Sequence, residues 1–227
     1  VAFNWATPIL ISLQSFYNRS YNTLIIQNMS DQKANPKEYA SFILASGSPR
    51  RRELLVDLVK AFDVITTEAE ELVFHDDGPA ALVMENARRK ARPVAEFRTG
   101  AWVLGADTIV SIGDEILGKP KDLAEAASML RLLSGRTHCV RTGICLAHKD
   151  SAYEEARVET SKVSFRMMTD ATIDAYFAEV DPLDKAGGYA IQTRPDLIID
   201  RFSGSRSNVI GLPLGMLADW LREVKVL

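Results

Sequence analysis

From residue 42 onward, the sequence alternates between short apolar strands and capped amphipathic helices. The apolar run Phe42–Ala45 leads into Ser48-Pro49, a pair that typically begins a helix. A longer apolar run follows at 102–112, and the stretches 137–147 and 153–165 predict a long hairpin. Strands and helices in this order predict an α/β fold: a single domain with a mixed central sheet flanked by helices.

The first 28 residues differ from the rest in composition. They hold one charged side chain, Arg19, in a chain with 27 basic and 30 acidic residues. Pro8 and polar residues interrupt their apolar character, and no small-residue cleavage site follows, unlike in a signal peptide. We expect translation to start at Met29, residues 1–40 to be a disordered or non-native extension, and the domain to span 41–227. A cleaved targeting segment is the alternative.

Charge and composition exclude several classes of protein. A net charge of −3 and a pI near 5.7 argue against a nucleic-acid binder, which would present a basic surface. The sequence has no apolar run of about 18 residues, so we expect no membrane span. The two cysteines, Cys139 and Cys145, lack metal-type spacing and indicate a reducing compartment, so we expect a cytoplasmic protein. A local basic pocket for a phosphorylated small molecule stays open.

Three arginines, Arg50, Arg51 and Arg52, occupy the first turn of the first predicted helix. Cations are unfavourable there because the helix dipole is already positive, unless an anion binds. Successive helical side chains diverge by about 100°, so all three cannot share one ligand. We expect Arg50 and Arg51 to bind an anion and Arg52 to face solvent or to pair with a glutamate; a solvated basic turn is the alternative.

A single carboxylate, Asp107, interrupts the apolar strand 102–112. Burying it costs several kcal/mol unless it is paired or metal-bound, so we expect Asp107 at a strand end facing a cleft. A structural Asp that caps a turn is the alternative. Three acidic residues follow an earlier strand and could complete an oxygen-rich cation site, although such a loop is also commonly solvated. They are Glu68, Glu70 and Glu71. Further anion contacts could come from Lys90, Lys119 and Lys185, for which a surface role is the alternative.

These residues belong to motifs through which the sequence resembles the Maf family of nucleoside triphosphate pyrophosphatases. The motifs run in family order from about residue 42 to the C-terminus. They are Ser46-Gly47-Ser48-Pro49-Arg50-Arg51-Arg52, Gly105-Ala106-Asp107-Thr108, Gly118-Lys119-Pro120, Leu133-Ser134-Gly135-Arg136-Thr137-His138, Pro182-Leu183-Asp184-Lys185-Ala186-Gly187 and Gly211-Leu212-Pro213-Leu214. The resemblance implies an inosine-triphosphatase-like fold with a deep cleft, a divalent cation (Mg²⁺ or Mn²⁺) and a homodimer.

The implied reaction is hydrolysis of a nucleoside triphosphate to the monophosphate and pyrophosphate. Asp107 matches the family's proton acceptor. The positions that select the base look like the dTTP/UTP type: Arg50, Thr108 and Gln192. We expect the phosphates to be bound by Ser46, Arg51, Lys90 and Lys119, and the cation to be held by Asp107 and Glu71.

The sequence departs from the family pattern near Gln192. Ala190 stands where Gly is common, Thr193 and Arg194 follow Gln192 where Gly is usual, and Arg206 replaces a frequent Tyr. Two other functions stay open: a pyrophosphatase for 7-methyl-GTP, and a non-catalytic nucleotide-binding regulator of cell division. The carboxylate within the strand disfavours the regulator, because a pure binder has no need of it.

Overall fold

The computed structural model describes residues 41–113 and 115–227. The predicted start at Met29 and the predicted extension 1–40 lie outside the described residues. Within them, seven strands form one sheet. The strands are β1 (Phe42–Ala45), β2 (Asp63–Val64), β3 (Trp102–Ile112), β4 (Glu115–Leu117), β5 (Thr137–His148), β6 (Tyr153–Phe165) and β7 (Ile199–Ser203).

Helices separate most of these strands. They are α1 (Pro49–Leu55), α2 (Pro79–Phe97), α3 (Leu123–Leu133), α4 (Asp170–Phe177), α5 (Pro195–Ile198), α6 (Arg206–Ile210) and α7 (Leu214–Glu223), with a 3₁₀ turn at Ala186–Gly188. None of the helices in the described part of the chain is long and apolar enough to cross a membrane.

The sheet is mixed, as the sequence predicts. Its strand order is β2-β1-β3-β5-β6-β7, with β4 pairing against β3. Strand β1 runs parallel to β2 and β3, and the remaining pairs are antiparallel. The predicted hairpin is present as β5 and β6.

Side chains of β1 alternate between the two faces of the sheet. Phe42 and Leu44 pack with helices α1 and α7, whereas Ile43 and Ala45 pack with α2. The sheet is therefore covered on both faces at this end. A third apolar cluster, around Val110, packs α3 and α4 against strands β3 to β7.

Two glycines let α2 approach the sheet closely. A Cβ atom at Gly105 would lie 2.2 Å from the carbonyl oxygen of Ala87, and one at Gly143 would lie 2.4 Å from that of Val83. Such distances are far below van der Waals contact. The backbone of α2 thus rests against β3 and β5, which fixes where its polar side chains reach the sheet.

Several predicted bounds differ from the structure. The stretch 62–66 predicts a strand of five residues, but β2 has only two, Asp63 and Val64, because only these two residues pair with the short strand β1. The stretch 78–97 predicts a helix with a kink or a restart at Pro93, but α2 continues through this residue. Burial of Ala87, Ala91 and Val94 against the sheet outweighs the hydrogen bond that proline cannot donate.

Candidate active site

A gap in strand pairing opens the site. The pairing of β1 with β3 ends at Ala45 and Gly105, and the pairing of β3 with β4 begins only at Val110, opposite Leu117. Within the described chain, residues 106–109 of β3 therefore have no strand neighbour on this side. Strand β1 has β2 on one side and β3 on the other, and such a point in a parallel sheet is where ligands commonly bind. A cleft of about 870 Å³ lies there.

Nine residues to which the resemblance assigns a role in the site line this cleft. They are Ser46, Arg50, Arg51, Glu71, Lys90, Asp107, Thr108, Lys119 and Gln192, with Lys185 beside them. Arg52 is exposed, as expected, and Glu68 and Glu70 do not line the cleft.

Asp107 is buried in the middle of β3, not at a strand end as the sequence predicts. It faces the cleft because the neighbouring strand has ended two residues earlier, not because β3 itself ends. Its carboxylate accepts a hydrogen bond from Lys90 Nζ at 2.8 Å and one from Asn86 Nδ2 at 3.1 Å. Asn86 and Lys90 lie one helical turn apart on α2.

These contacts keep Asp107 ionised. Burial alone would raise the pKa of the carboxyl group, but the charge and hydrogen bond of Lys90, with help from Arg51 and Asn86, outweigh it. The pKa of Asp107 therefore lies below its ordinary value. Above that pKa, the side chain is an anion that accepts hydrogen bonds or binds a cation.

Lys90 joins two carboxylates from distant parts of the sequence. Its Nζ lies 2.7 Å from Glu71 Oε1, and it also donates to the Ala106 carbonyl at 3.3 Å. The loop that carries Glu71 is held by Asn86, which accepts from the Leu72 amide at 2.7 Å and donates to the Leu72 carbonyl at 3.0 Å. One asparagine thus positions both the Glu71 loop and Asp107.

Arg51 holds another wall of the cleft together. Four N–H···O bonds run from its guanidinium to Gly211 O (2.9 Å), Ser46 Oγ (3.1 Å), Ala106 O (2.8 Å) and Thr108 Oγ1 (3.0 Å). Burial lowers the pKa of Arg51, although the guanidinium stays charged. Since a guanidinium has five N–H groups, one is left for a ligand.

Thr108 connects the cleft to a buried polar chain. Its hydroxyl lies 3.0 Å from that of Thr142, which donates to the Asn208 carbonyl at 3.0 Å. The Asn208 side chain donates to Val140 O and to Ser161 Oγ. Thr108 is therefore fixed by the sheet and by α6.

Arg50 crosses the rim of the cleft. It bonds Asp184 through a carboxylate oxygen at 2.6 Å and through the carbonyl oxygen at 3.2 Å. Burial would raise the pKa of Asp184, but Lys185 and Arg50 lower it. Lys119 and Gln192 also line the cleft, and both are exposed.

The cleft carries an excess of positive charge. Its lining includes five basic and three acidic side chains, in a chain whose net charge is −3. A concave surface lined by one sign of charge concentrates ligands of the opposite sign. The cleft volume is in the range of small-molecule sites.

The donor set around Lys90 fits a hard divalent cation. No cluster of three or more His, Cys, Asp or Glu residues suited to a metal is found at 41–113 or 115–227. Mg²⁺, however, is commonly bound by one or two carboxylates together with substrate phosphates. Asp107 and Glu71 both contact one ammonium group within 2.8 Å, so their oxygens already converge on a cation.

Two residues of the site were missed by reasoning from the sequence. Asn86 carries a weak signal, since it is a polar residue on the buried face of α2, four positions before Lys90. Asp184 lies within one of the motifs quoted above, but nothing in that motif indicates its contact with Arg50, which spans 134 residues of sequence.

Comparison with known proteins identifies the family. The sequence profile described as Maf-like protein matches residues 41–224. The chain belongs to the Maf-like family. Curated relatives named dTTP/UTP pyrophosphatase include one from Bacillus cytotoxicus, 46% identical over 81% of this chain and 94% of the relative. Another, from Myxococcus xanthus, is 47% identical over 76% of this chain and 87% of the relative.

A solved structure supports the fold. The Ham1 protein of Staphylococcus aureus matches 80% of this chain and 98% of its own, with a TM-score of 0.51 and 14% sequence identity. At this identity the likeness concerns the fold alone. The predicted α/β fold, with a mixed central sheet flanked by helices, is confirmed.

Proposed function

We propose that this protein is a nucleoside triphosphate pyrophosphatase that hydrolyses dTTP and UTP to the monophosphate and pyrophosphate. The observation that carries the proposal is the convergence of Asp107, Lys90 and Glu71 in a cleft with excess positive charge. Relatives named dTTP/UTP pyrophosphatase at 40–47% identity support the reaction and the bases.

The basic side chains would neutralise the triphosphate. Lys90 and Lys119 both line the cleft, and Arg51 offers one remaining N–H, on the nitrogen that donates to Thr108. Phosphoryl-transfer catalysis consists mainly of positioning and charge stabilisation, for which fixed cationic groups are suited. Arg51 also holds the strand residues Ala106 and Thr108, so it shapes the pocket while it contacts the ligand.

Asp107 and Glu71 are the residues that would hold Mg²⁺ or Mn²⁺. When bound, such an ion would neutralise phosphate oxygens and make the α-phosphorus more electrophilic. The carboxylate of Asp107 would orient the attacking water and accept its proton. The water oxygen bonds to the α-phosphorus as the bond to the bridging oxygen of the β-phosphate breaks, so pyrophosphate leaves.

Base selection would fall to residues at the rim. Gln192 carries both a donor and an acceptor, which a uracil or thymine edge requires. Arg50 is held at the rim by Asp184, and Thr108 shapes the pocket floor. The homodimer and the cytoplasmic location stay predictions of the sequence.

A substrate panel tests the proposal. The full chain is mixed with Mg²⁺ and UTP, dTTP, CTP, GTP, ITP or 7-methyl-GTP, and pyrophosphate release is measured with and without a chelator. Metal-dependent release from UTP and dTTP is expected. Release from 7-methyl-GTP alone would overturn the choice of bases. Nucleotide binding without hydrolysis would instead indicate the regulator.

A further inference from the structure

The segment that carries Gln192 is held in part by the hydroxyl group of Tyr176. Tyr176, on α4, accepts a hydrogen bond from the Ala190 amide at 2.9 Å and donates one to the Ala190 carbonyl at 3.2 Å. Both backbone polar groups of a residue two positions before Gln192 are thus satisfied by one side chain. Tyr176 is completely buried, and burial raises its pKa to about 12, so the hydroxyl keeps its proton at neutral pH.

A second aromatic contact fixes the neighbouring residue. The Tyr189 hydroxyl lies 2.7 Å from His138 Nε2, and the two rings pack edge to face with Phe165. Burial lowers the pKa of His138 to about 4, so the imidazole is neutral at neutral pH. This buried pair takes no part in the chemistry proposed above.

The segment from Tyr189 to Gln192 lines the cleft along its whole length. Tyr189 and Ile191 are buried in the core, whereas Gln192 is exposed at the rim. Upstream, Gly187 and Gly188 have φ of +70° and +72°, a conformation that favours glycine. The Gly187 amide also donates to Gly118 O at 3.0 Å, so the approach to the segment is anchored as well.

A fixed backbone matters for reading a pyrimidine. Uracil presents an acceptor and a donor where cytosine presents a donor and an acceptor. A glutamine amide can offer either group by rotating about its last side-chain bond, and a mobile segment would leave both arrangements within reach of the base. Discrimination therefore depends on holding the segment at one position relative to the base.

We propose that Tyr176 and His138 are positioning residues for base selection, which hold the segment from Tyr189 to Gln192 so that the amide of Gln192 meets the uracil or thymine edge in one register. This inference rests on the proposed function. Neither residue contacts the base in this account; both act through the segment. The aromatic hydroxyl contacts, rather than the identity of Gln192 alone, would set the preference for UTP over CTP.

The test removes one hydroxyl and leaves the ring. Tyr176→Phe in the full chain is assayed for kcat and KM with UTP, dTTP and CTP. The ratio of kcat/KM for UTP over CTP is expected to fall about tenfold, since two hydrogen bonds of ordinary strength are lost. The change should lie in KM for UTP, with kcat within about twofold of the wild-type value.

Tyr153→Phe is the matched control. Its hydroxyl accepts from Trp220 Nε1 at 2.8 Å and donates to Glu155 at 2.7 Å, and Tyr153 does not line the cleft. This variant should lose thermal stability to a similar degree while keeping the UTP over CTP ratio. His138→Phe, which removes the hydrogen-bond partner of Tyr189, is the second variant. If Tyr176→Phe does not fold, the UTP over CTP ratio of His138→Phe tests the inference.

The outcomes separate the inference from the proposed function. An unchanged UTP over CTP ratio in the folded variants, with UMP and pyrophosphate still formed, would overturn the positioning role alone. Equal losses of kcat for every nucleotide would do the same, because they indicate a merely structural effect. A wild-type chain that hydrolyses no nucleotide would overturn both.

Discussion

The ammonium group of Lys90 lies 2.8 Å from a carboxylate oxygen of Asp107, and both side chains are largely buried at the edge of the cleft. Lys90 comes from a helix that rests against the sheet through Gly105, and Asp107 comes from the strand that contains this glycine. The geometry of the proposed active site therefore depends directly on how closely α2 packs against β3.

Asp107→Asn should abolish most of the turnover while the fold persists. The amide keeps the size of the side chain and can still accept from Lys90, but it can neither bind a cation well nor take a proton. We expect kcat for UTP to fall by about 10³-fold or more, as measured by pyrophosphate release. Glu68→Gln, an exposed acidic residue outside the cleft, is the control and should keep full activity. Near-normal turnover in Asp107→Asn would refute its role.

The stability difference between the wild type and Asp107→Asn should depend on pH. In the folded chain, the pKa of Asp107 lies below its ordinary value of 3.8. A carboxyl group with a lowered folded pKa contributes stability that is fully present above the unfolded pKa and is lost as pH falls through the folded pKa. As the pH rises from about 3 to about 6, the free energy of unfolding of the wild type should therefore increase relative to that of the variant. Urea unfolding at both values measures this; a difference that does not change with pH would contradict it.

Gly105→Ala should damage both stability and activity. The new Cβ would lie 2.2 Å from the Ala87 carbonyl oxygen, so α2 must shift away from β3. We expect the variant to lose about 1–3 kcal/mol of unfolding free energy, and its kcat for UTP to fall because Lys90 moves with the helix.

Gly215→Ala, in the first turn of α7, is the matched control. A Cβ added at Gly215 would have open space around it within 4 Å, and alanine favours the helix, so this variant should be more stable by about 0.4–1 kcal/mol. Thermal melts and pyrophosphate release compare the pair. Equal behaviour of the two glycine variants would refute the packing argument.

Asp184→Asn should weaken the hold on Arg50. The ion pair between Arg50 and Asp184 is partly exposed, so removing it should have a modest effect. We expect kcat/KM for UTP to fall about two- to fivefold through a higher KM. Arg50→Ala, which removes the guanidinium itself, should have the larger effect and alter base preference. Asp170→Asn, in a comparable exposed pair with Arg131, is the control and should leave kinetics unchanged. A greater loss in Asp184→Asn than in Arg50→Ala would contradict this order.

The sequence predicts the elements of the fold and the residues of the cleft because both depend on local signals. Apolar runs and the Ser48-Pro49 pair predict the strands and the first helix, and a lone Asp107 in an apolar strand marks a functional position. Its place in the strand was predicted wrongly, because the opening of the cleft depends on where a different strand ends. No pattern within β3 carries that information.

The supporting contacts could not be predicted for the same reason. Asp184 and Tyr176 act on residues that the fold brings near them, not on residues at helical or strand spacing. Asn86 looks like an isolated polar residue until α2 is docked and its amide reaches Leu72 and Asp107. Side chains that perform chemistry carry a chemical signature in the sequence, whereas those that position them depend on tertiary contacts.

The position of bond cleavage is the most direct test of the central claim. UTP is hydrolysed by the full chain in water labelled with the heavy isotope of oxygen, and both products are examined by mass spectrometry. Attack at the α-phosphorus predicts label in UMP and none in pyrophosphate. Label in pyrophosphate, or the formation of UDP and phosphate, would contradict the account.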